Sequence, residues 1–317
     1  MRLQERCHLK PARSGKAIAG AGGAGFTLVE LLVVISIIAL LMGILMPVMG
    51  RVRETARSTI CMSNVRRISM AGHIYALEGD GGLPPYRMRK AKPTDPDGYV
   101  NEYGRKNPRW HWFFDHGIGP VINPAHYLES IKSKGYFDDS DTLIMTNDYF
   151  LCPSFRHPDF DKRDIRNGSY GYNYQYLGNS RVTPDGGHFQ NFPVYVAKLR
   201  RPSETVIIAD SRGARGQTGP PDIPHGLHSY TLDPPRIARS KAATEFGFTD
   251  IGPVIEQQHS PAEARHSGKA NASFVDGHAE HLSLKDLGYV LDAGGSVIAD
   301  HPEGSNRLWS ATGRDER

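Results

Sequence analysis

Residues 25–48 read GFTLVELLVVISIIALLMGILMPV. From Phe26 to Val48 the only charge is Glu30 and the only hydroxyls are Thr27 and Ser36. A helix rises about 1.5 Å per residue, so the run reaches roughly 35 Å, enough to cross a bilayer core of about 30 Å. It is too long and begins too late for the apolar region of an ordinary signal peptide, and no small-x-small cleavage site follows it. Glu30 is the anomaly, because a carboxylate inside a membrane helix costs on the order of 2.5–3.5 kcal/mol and needs a partner. Cleavage after Gly25 would create one. The new amino group on Phe26 would be a cation four residues from Glu30, in the same chain or in a neighbour.

The glycine, the aromatic, the hydroxyl, the glutamate and the unbroken apolar run fall in one register. That register resembles the processing site and first helix of type IV prepilins and type II secretion pseudopilins. The resemblance implies that Gly25 precedes the cut, that Phe26 is the N-methylated new terminus, that Glu30 is the fifth mature residue and that Pro47 is the mid-helix proline. It also implies a prepilin peptidase/methyltransferase and other pilin or pseudopilin subunits as partners. The localisation it implies is a single pass of the inner membrane, with the leader in the cytoplasm and the C-terminal domain outside, periplasmic or extracellular. Charge near the span does not decide orientation, since five basic residues precede it and Arg51, Arg53, Arg57, Arg66 and Arg67 follow it.

Residues 1–25 carry Arg2, Arg6, Lys10, Arg13 and Lys16 against one acid, Glu5, and end in an Ala/Gly tract. This reads as a leader rather than folded structure. The whole chain has 38 basic and 34 acidic residues, so removing the leader leaves 33 of each. The mature protein is therefore neutral, and its charge gives no reason to expect a nucleic-acid partner. Of the three cysteines, Cys7 lies in the leader. Cys61 and Cys152 remain, and in an exported domain they form either one bridge or two buried free thiols.

The helix is expected to continue past the membrane, from about Thr27 to about Leu77, kinked near Pro47, whose ring removes a helical hydrogen bond. Ala56, Ile60, Asn64, Ile68, Ala71 and Tyr75 recur every three or four residues. They are assigned to one face, with Ile60, Ile68 and Tyr75 packing on a globular domain. Gly79 to Gly82 and the pair Pro84-Pro85 end the helix. Residues 80–122 read as a long excursion anchored by WHWFF, 110–114. A short helix follows, capped by Asn123 and stopped by Gly135. Strands are expected at 149–153, 169–177 and 205–209, and residues 212–262 as a long surface insertion.

The segment RHSGKANASFVDGHAEHLSL closes the pattern. Residues 271–275 and 278–282 read as strands joined by Asp276-Gly277 in a type I′ turn, which needs positive φ at both positions. His266, nine intervening residues and then Asp276-Gly277 resemble the C-terminal His-x9-Asp-Gly element of large prepilin-like proteins. Asn64 in CMSNVRRISMA, Cys152-Pro153-Ser154 and Arg201-Pro202-Ser203 with Asp210 are similar to the same family. No catalytic activity comes with that resemblance.

Asp276 is assigned to the turn and His266 to a backbone hydrogen bond near the hairpin, a structural role for His266, Asp276 and Gly277. On a strand His278 and Glu280 share a face and His281 takes the other, so the three do not converge on one ion. The reading therefore assigns no metal and no cofactor, with a calcium or zinc site on these side chains as its competitor. Asp210-Ser211 invites a hydrolase assignment, but no G-x-S-x-G elbow, P-loop or Rossmann glycine pattern is present, and Asp210 reads as a turn-former at a strand end.

The expected fold is α+β, a long N-terminal transmembrane helix whose outer half packs on a small antiparallel sheet with long loop insertions. The expected divisions are a leader, 1–25, a pilin-like helix, 26–78, with its span at 26–48, and an exported domain, 79–317. The expected function is a non-enzymatic prepilin-like subunit that assembles through its helix into a secretion pseudopilus or type IV pilus-like filament. The alternative is a membrane-anchored binding module that keeps the prepilin leader but does not polymerise.

Overall fold

The structure is a computed structural model. It describes residues 26–85, 110–115, 117–120, 123, 144–156, 163, 167–178, 180–182, 189–191, 194–213, 231–237 and 259–315. The leader with Cys7 and Gly25, the helix expected to start at Asn123, and most of the 80–122 and 212–262 insertions lie outside the described residues. The chain divides into two compact units, Met1–Gly50 and Arg51–Arg317.

The described part of the first unit is the start of helix α1, which runs Leu28–Glu78 and contains Pro47 without a break in its assignment. Its apolar stretch is long enough to cross a membrane, and none of it is buried. Ser36, a hydroxyl in that stretch, donates to the Leu32 carbonyl at 2.7 Å, which satisfies it within the helix.

In the second unit α1 buries Cys61, Asn64, Val65, Ile68, Ser69, Ala71, Gly72 and Ala76. This corrects the expected face. Ile60 is 51% exposed and Ala56 is also exposed, so the packed stripe is turned by about one residue. The stripe is built from small residues, which allow close approach. A Cβ on Gly72 would lie 2.7 Å from Phe114 Cε1. A short helix, α2 (Trp110–Phe113), supplies the facing aromatics, all buried as the WHWFF reading expects.

The sheet is antiparallel, in the order β1 (Tyr170–Tyr172), β4 (Val206–Asp210), β5 (Ala270–Phe274), β6 (Ala279–Leu282). A separate antiparallel pair joins β2 (Ser180–Val182) to β3 (Phe189–Asn191). The fold is thus α+β, a long apolar N-terminal helix and a small antiparallel sheet. The strand expected at 169–177 is only three residues long, because Tyr174 to Leu177 turn back, with Leu177 N–H on Asn173 O at 3.0 Å. The strand expected at 149–153 is a 3-10 turn at Asp148–Phe150 followed by extended chain.

Two cores form. One joins Cys61, Val65, Ile68 and Ala71 of α1 to Trp110, Phe114, Tyr170, Tyr172, Ile207 and Ile208. The other joins Val206, Ala209, Ala270, Ala272 and Phe274 to Leu287, Tyr289 and Trp309. A register shift between Val206 and Ile208 breaks the alternation of β4, so the neighbours Ile207 and Ile208 enter the same core. In β5 Ala270, Ala272 and Phe274 enter the second core, and the intervening Asn271 reaches back to the Ser58 carbonyl of α1 at 3.4 Å. Ser69 of α1 donates to the Phe274 carbonyl at 3.0 Å, and Asn64 donates to Leu151 O at 3.3 Å and Tyr170 Oη at 3.2 Å. These bonds fix α1's outer half on the sheet.

Candidate functional site

At the start of α1 the residues Thr27-Leu28-Val29-Glu30 form a capping box. Thr27 N–H and Thr27 Oγ1 each donate to Glu30 Oε2 at 2.8 Å, and Glu30 N–H returns a bond to Thr27 Oγ1 at 3.3 Å. The threonine and glutamate of the processing motif therefore satisfy helix-start donors in the uncleaved chain. A Ser/Thr-x-x-Glu pattern before an apolar run is the sequence signal for this, a role for Glu30 besides pairing with the Phe26 amine. Phe26 itself is 77% exposed.

At the other end, β5 and β6 pair as a hairpin closed by Phe274 N–H on His278 O at 2.9 Å. The loop is three residues, Val275-Asp276-Gly277, and not a two-residue type I′ turn. Only Gly277 has positive φ, 92°. The physical reason is Val275, which is fully buried and donates to Thr205 O at 2.9 Å. That bond draws Val275 out of β5 and into the turn. A three-residue loop with glycine in the left-handed position is a recognised hairpin closure. Asp276 Oδ1 accepts from His278 N–H at 3.1 Å, which holds the turn.

His266 meets the hairpin through its backbone. Its backbone carbonyl receives His281 Nε2 at 3.1 Å, while its own ring points the other way, into a buried cluster. His266 Nε2 lies 3.5 Å from Cys152 Sγ and 3.5 Å from Asp210 Oδ2. Cys61 completes the group. One ligand-type atom from each of Cys61, Cys152, Asp210 and His266 lies within 4.8 Å of the others. All four residues are 0% exposed. Four separate elements deliver them: α1, the chain after the Asp148–Phe150 turn, the last residue of β4 and the approach to β5.

The surroundings orient these groups. His266 Nδ1 lies 3.3 Å from Glu54 Oε1, and Ser154 Oγ donates to the same oxygen at 3.3 Å. Asp210 Oδ2 accepts Asn271 N–H at 2.7 Å. Asp210 is thus a buried acceptor in the sheet, where the sequence suggested a simple turn-former. Its Oδ1 accepts no hydrogen bond, and the Arg265 Nε is 3.8 Å away. Arg265 is held over the Phe155 ring, 4.7 Å from its centroid, and pairs with Glu263 at 2.9 Å.

Burial opposes ionisation of the Cys152 thiol. The hydrogen bonds from Cys61 and His266 and the charge of Arg265 outweigh it, so the thiol's pKa is lowered. Cys61 is pushed up, first by its bond to Cys152 and then by burial. Burial disfavours the His266 imidazolium too, but its bonds to Asp210 and Cys152 and their charges carry it up to about 10. A lowered thiol beside an imidazole is the chemistry of a nucleophile. Here both side chains are fully buried. Nor is a serine nucleophile formed: Ser211 Oγ donates to Thr231 O at 3.0 Å and meets Ser260 Oγ at 2.9 Å.

Two adjoining segments of the chain match known family models. Residues 22–46 match the prokaryotic N-terminal methylation motif, which contains Gly25, Phe26 and Glu30. Residues 50–220, more than half of the chain, match the family described as "Protein of unknown function (DUF1559)". No curated protein and no solved structure matches the chain. The methylation motif, the apolar helix behind it and the matched domain that follows identify the chain as a prepilin-like, membrane-anchored exported protein that belongs to the DUF1559 family.

Proposed function

We propose that this protein is a non-catalytic filament subunit of pseudopilin or pilin type. The observation that carries the reading is the methylation motif over residues 22–46 joined to a helix whose apolar stretch is not buried. Such a helix needs a cover, and lipid before assembly and sibling helices after it both meet that need. A prepilin peptidase removes residues 1–25 on the cytoplasmic side and methylates Phe26. The helix, 26–78, is anchored through 26–48, and the domain 79–317 lies outside the inner membrane. Glu30 then neutralises the Phe26 amine of its own chain or its neighbour. An unpaired buried charge is costly, so that pairing selects axial register. Repetition of one heterologous contact gives an open filament.

Intact mass and N-terminal sequencing of the protein from its native membrane test the processing step. The expected product starts at Phe26 and is heavier by one methylene. A chain that still starts at Met1 in cells with active prepilin peptidase overturns the reading. Glu30→Ala tests assembly. The processed variant is expected to remain in the membrane and to be absent from sheared filament fractions. A variant that enters filaments like the parent refutes the register role, and a parent chain never found in filaments favours the solitary anchored module.

A further inference from the structure

The buried cluster of Cys61, Cys152, Asp210 and His266 brings four ligand-type side chains together and leaves one of its polar atoms, Asp210 Oδ1, without a hydrogen bond. An imidazole nitrogen has one proton or one lone pair, so Nε2 of His266 serves one partner well. Here it faces two, Cys152 Sγ at 3.5 Å, an ordinary distance for a bond to sulfur, and Asp210 Oδ2 at 3.5 Å, long for a bond between nitrogen and oxygen. Asp210 Oδ1 accepts no hydrogen bond although the residue is fully buried. A buried polar atom left without a hydrogen bond is costly.

The same distances suit a different arrangement. A tetrahedral ion with bonds of about 2.3 Å to sulfur and 2.0–2.1 Å to nitrogen or oxygen sets its ligand atoms roughly 3.3–3.8 Å apart. The two 3.5 Å separations at Nε2 fall in that range, and all four ligand atoms lie within 4.8 Å of one another. The second ring nitrogen of His266 faces a carboxylate, Glu54, at 3.3 Å. A carboxylate behind a ligating histidine fixes its tautomer and orientation in metal sites. Two thiolates and a carboxylate around a dication leave one net negative charge, next to Glu54 and the Arg265–Glu263 pair.

We propose that Cys61, Cys152, Asp210 and His266 are the four ligands of a closed structural site for a zinc-class divalent cation, with Glu54 orienting His266. Two thiolates and an imidazole select such a cation over calcium or magnesium, which take oxygen ligands. Four protein ligands leave no open position, so the ion is structural and does not activate water. It ties α1 to β4, to the approach to β5 and to the chain around Cys152, within the exported unit. It also keeps two thiolates coordinated in a compartment that would otherwise oxidise them to a bridge.

The test uses the full-length chain, purified in detergent under anaerobic conditions. Elemental analysis is expected to find one zinc per chain. Cys61 and Cys152 should resist alkylation until a chelator and a denaturant are added together. Replacement by cobalt should give the thiolate charge-transfer absorption and the intense visible bands of a tetrahedral centre. Cys152→Ser should lose the metal. Should that variant misfold, Glu54→Gln provides the independent readout, a roughly 10–100-fold weaker affinity in chelator competition with the tetrahedral cobalt spectrum retained. A native chain lacking two hydrogens, with Cys61 linked to Cys152, overturns the proposal. So does a reduced chain that holds no metal in excess zinc, and an affinity unchanged by Glu54→Gln refutes the assigned geometry.

Discussion

Ile60 and Ile68 lie on the same helix, and the structure gives them opposite environments. Ile68 is 0% exposed in the first core, while Ile60 is 51% exposed. Truncating either to alanine changes intrinsic helix propensity by the same small amount, so the difference between the two variants isolates packing. Ile68→Ala removes three buried carbons, about 2.4 kcal/mol at ~0.8 kcal/mol each, and the cavity left behind adds to this. The expected cost is about 3–4 kcal/mol, within the range of such truncations. Ile60→Ala should stay within about 0.5 kcal/mol of the parent. For a domain of this size each kcal/mol moves the midpoint by about 2–4 °C, so Ile68→Ala should melt roughly 6–16 °C lower. The assay is thermal unfolding of the full-length chain in detergent, followed by the fluorescence of Trp110, Trp112 and Trp309, all buried in the exported unit. Equal losses in the two variants, or a larger loss for Ile60→Ala, would refute the assignment of the packed face.

Two further tests probe close approaches of the backbone. Gly171 lies in β1 opposite Ala209, and a Cβ there would stand 2.3 Å from the Thr231 carbonyl oxygen. Gly171→Ala should cost about 1–3 kcal/mol by overpacking, read as a lower midpoint in the same melt, and a neutral result would show that the 231–237 strand-side segment packs elsewhere. Gly277 and Gly288 both have positive φ, 92° and 90°, but a Cβ on Gly277 meets nothing whereas one on Gly288 meets Ser305 O at 2.1 Å. Gly277→Ala should therefore cost only the conformational strain, about 1–2 kcal/mol, and Gly288→Ala clearly more, with the reverse order refuting the geometry of the C-terminal segment.

How far the sequence could be read depended on the range of the interactions involved. The long helix, the aromatic knot at 110–114 and the strand at 206–210 were legible because each is specified by local periodicity or by a short apolar run. The turn at 276–277 was half legible. Its glycine is where expected, but its type is set by Val275 bonding to Thr205, a partner 70 positions away in the chain that no dipeptide preference reports. The helix face was misread by about one residue for a related reason. Ile60 is more apolar than Cys61, so hydropathy chose it, whereas burial favoured the small residues Cys61, Ser69 and Gly72, which admit Phe114 and the hairpin.

The buried cluster lies at the far end of this scale. Cys152 and His266 are 114 positions apart, and Cys61 and Asp210 come from a helix and a strand end of their own. Zinc sites that can be read from sequence have paired ligands at short spacing, because one turn supplies two of them. Here each element supplies one ligand, so no spacing marks the site. Sequence directed attention to the local density of histidines at 278 and 281 instead. Those side chains turn out to be occupied separately, His278 with Asp276 and Glu280, and His281 with the backbone of His266. Such a dispersed set has a physical consequence. None of the four ligands meets the others until helix, sheet and the chain around Cys152 have docked, so an ion bound there stabilises the assembled exported unit and no smaller part of it.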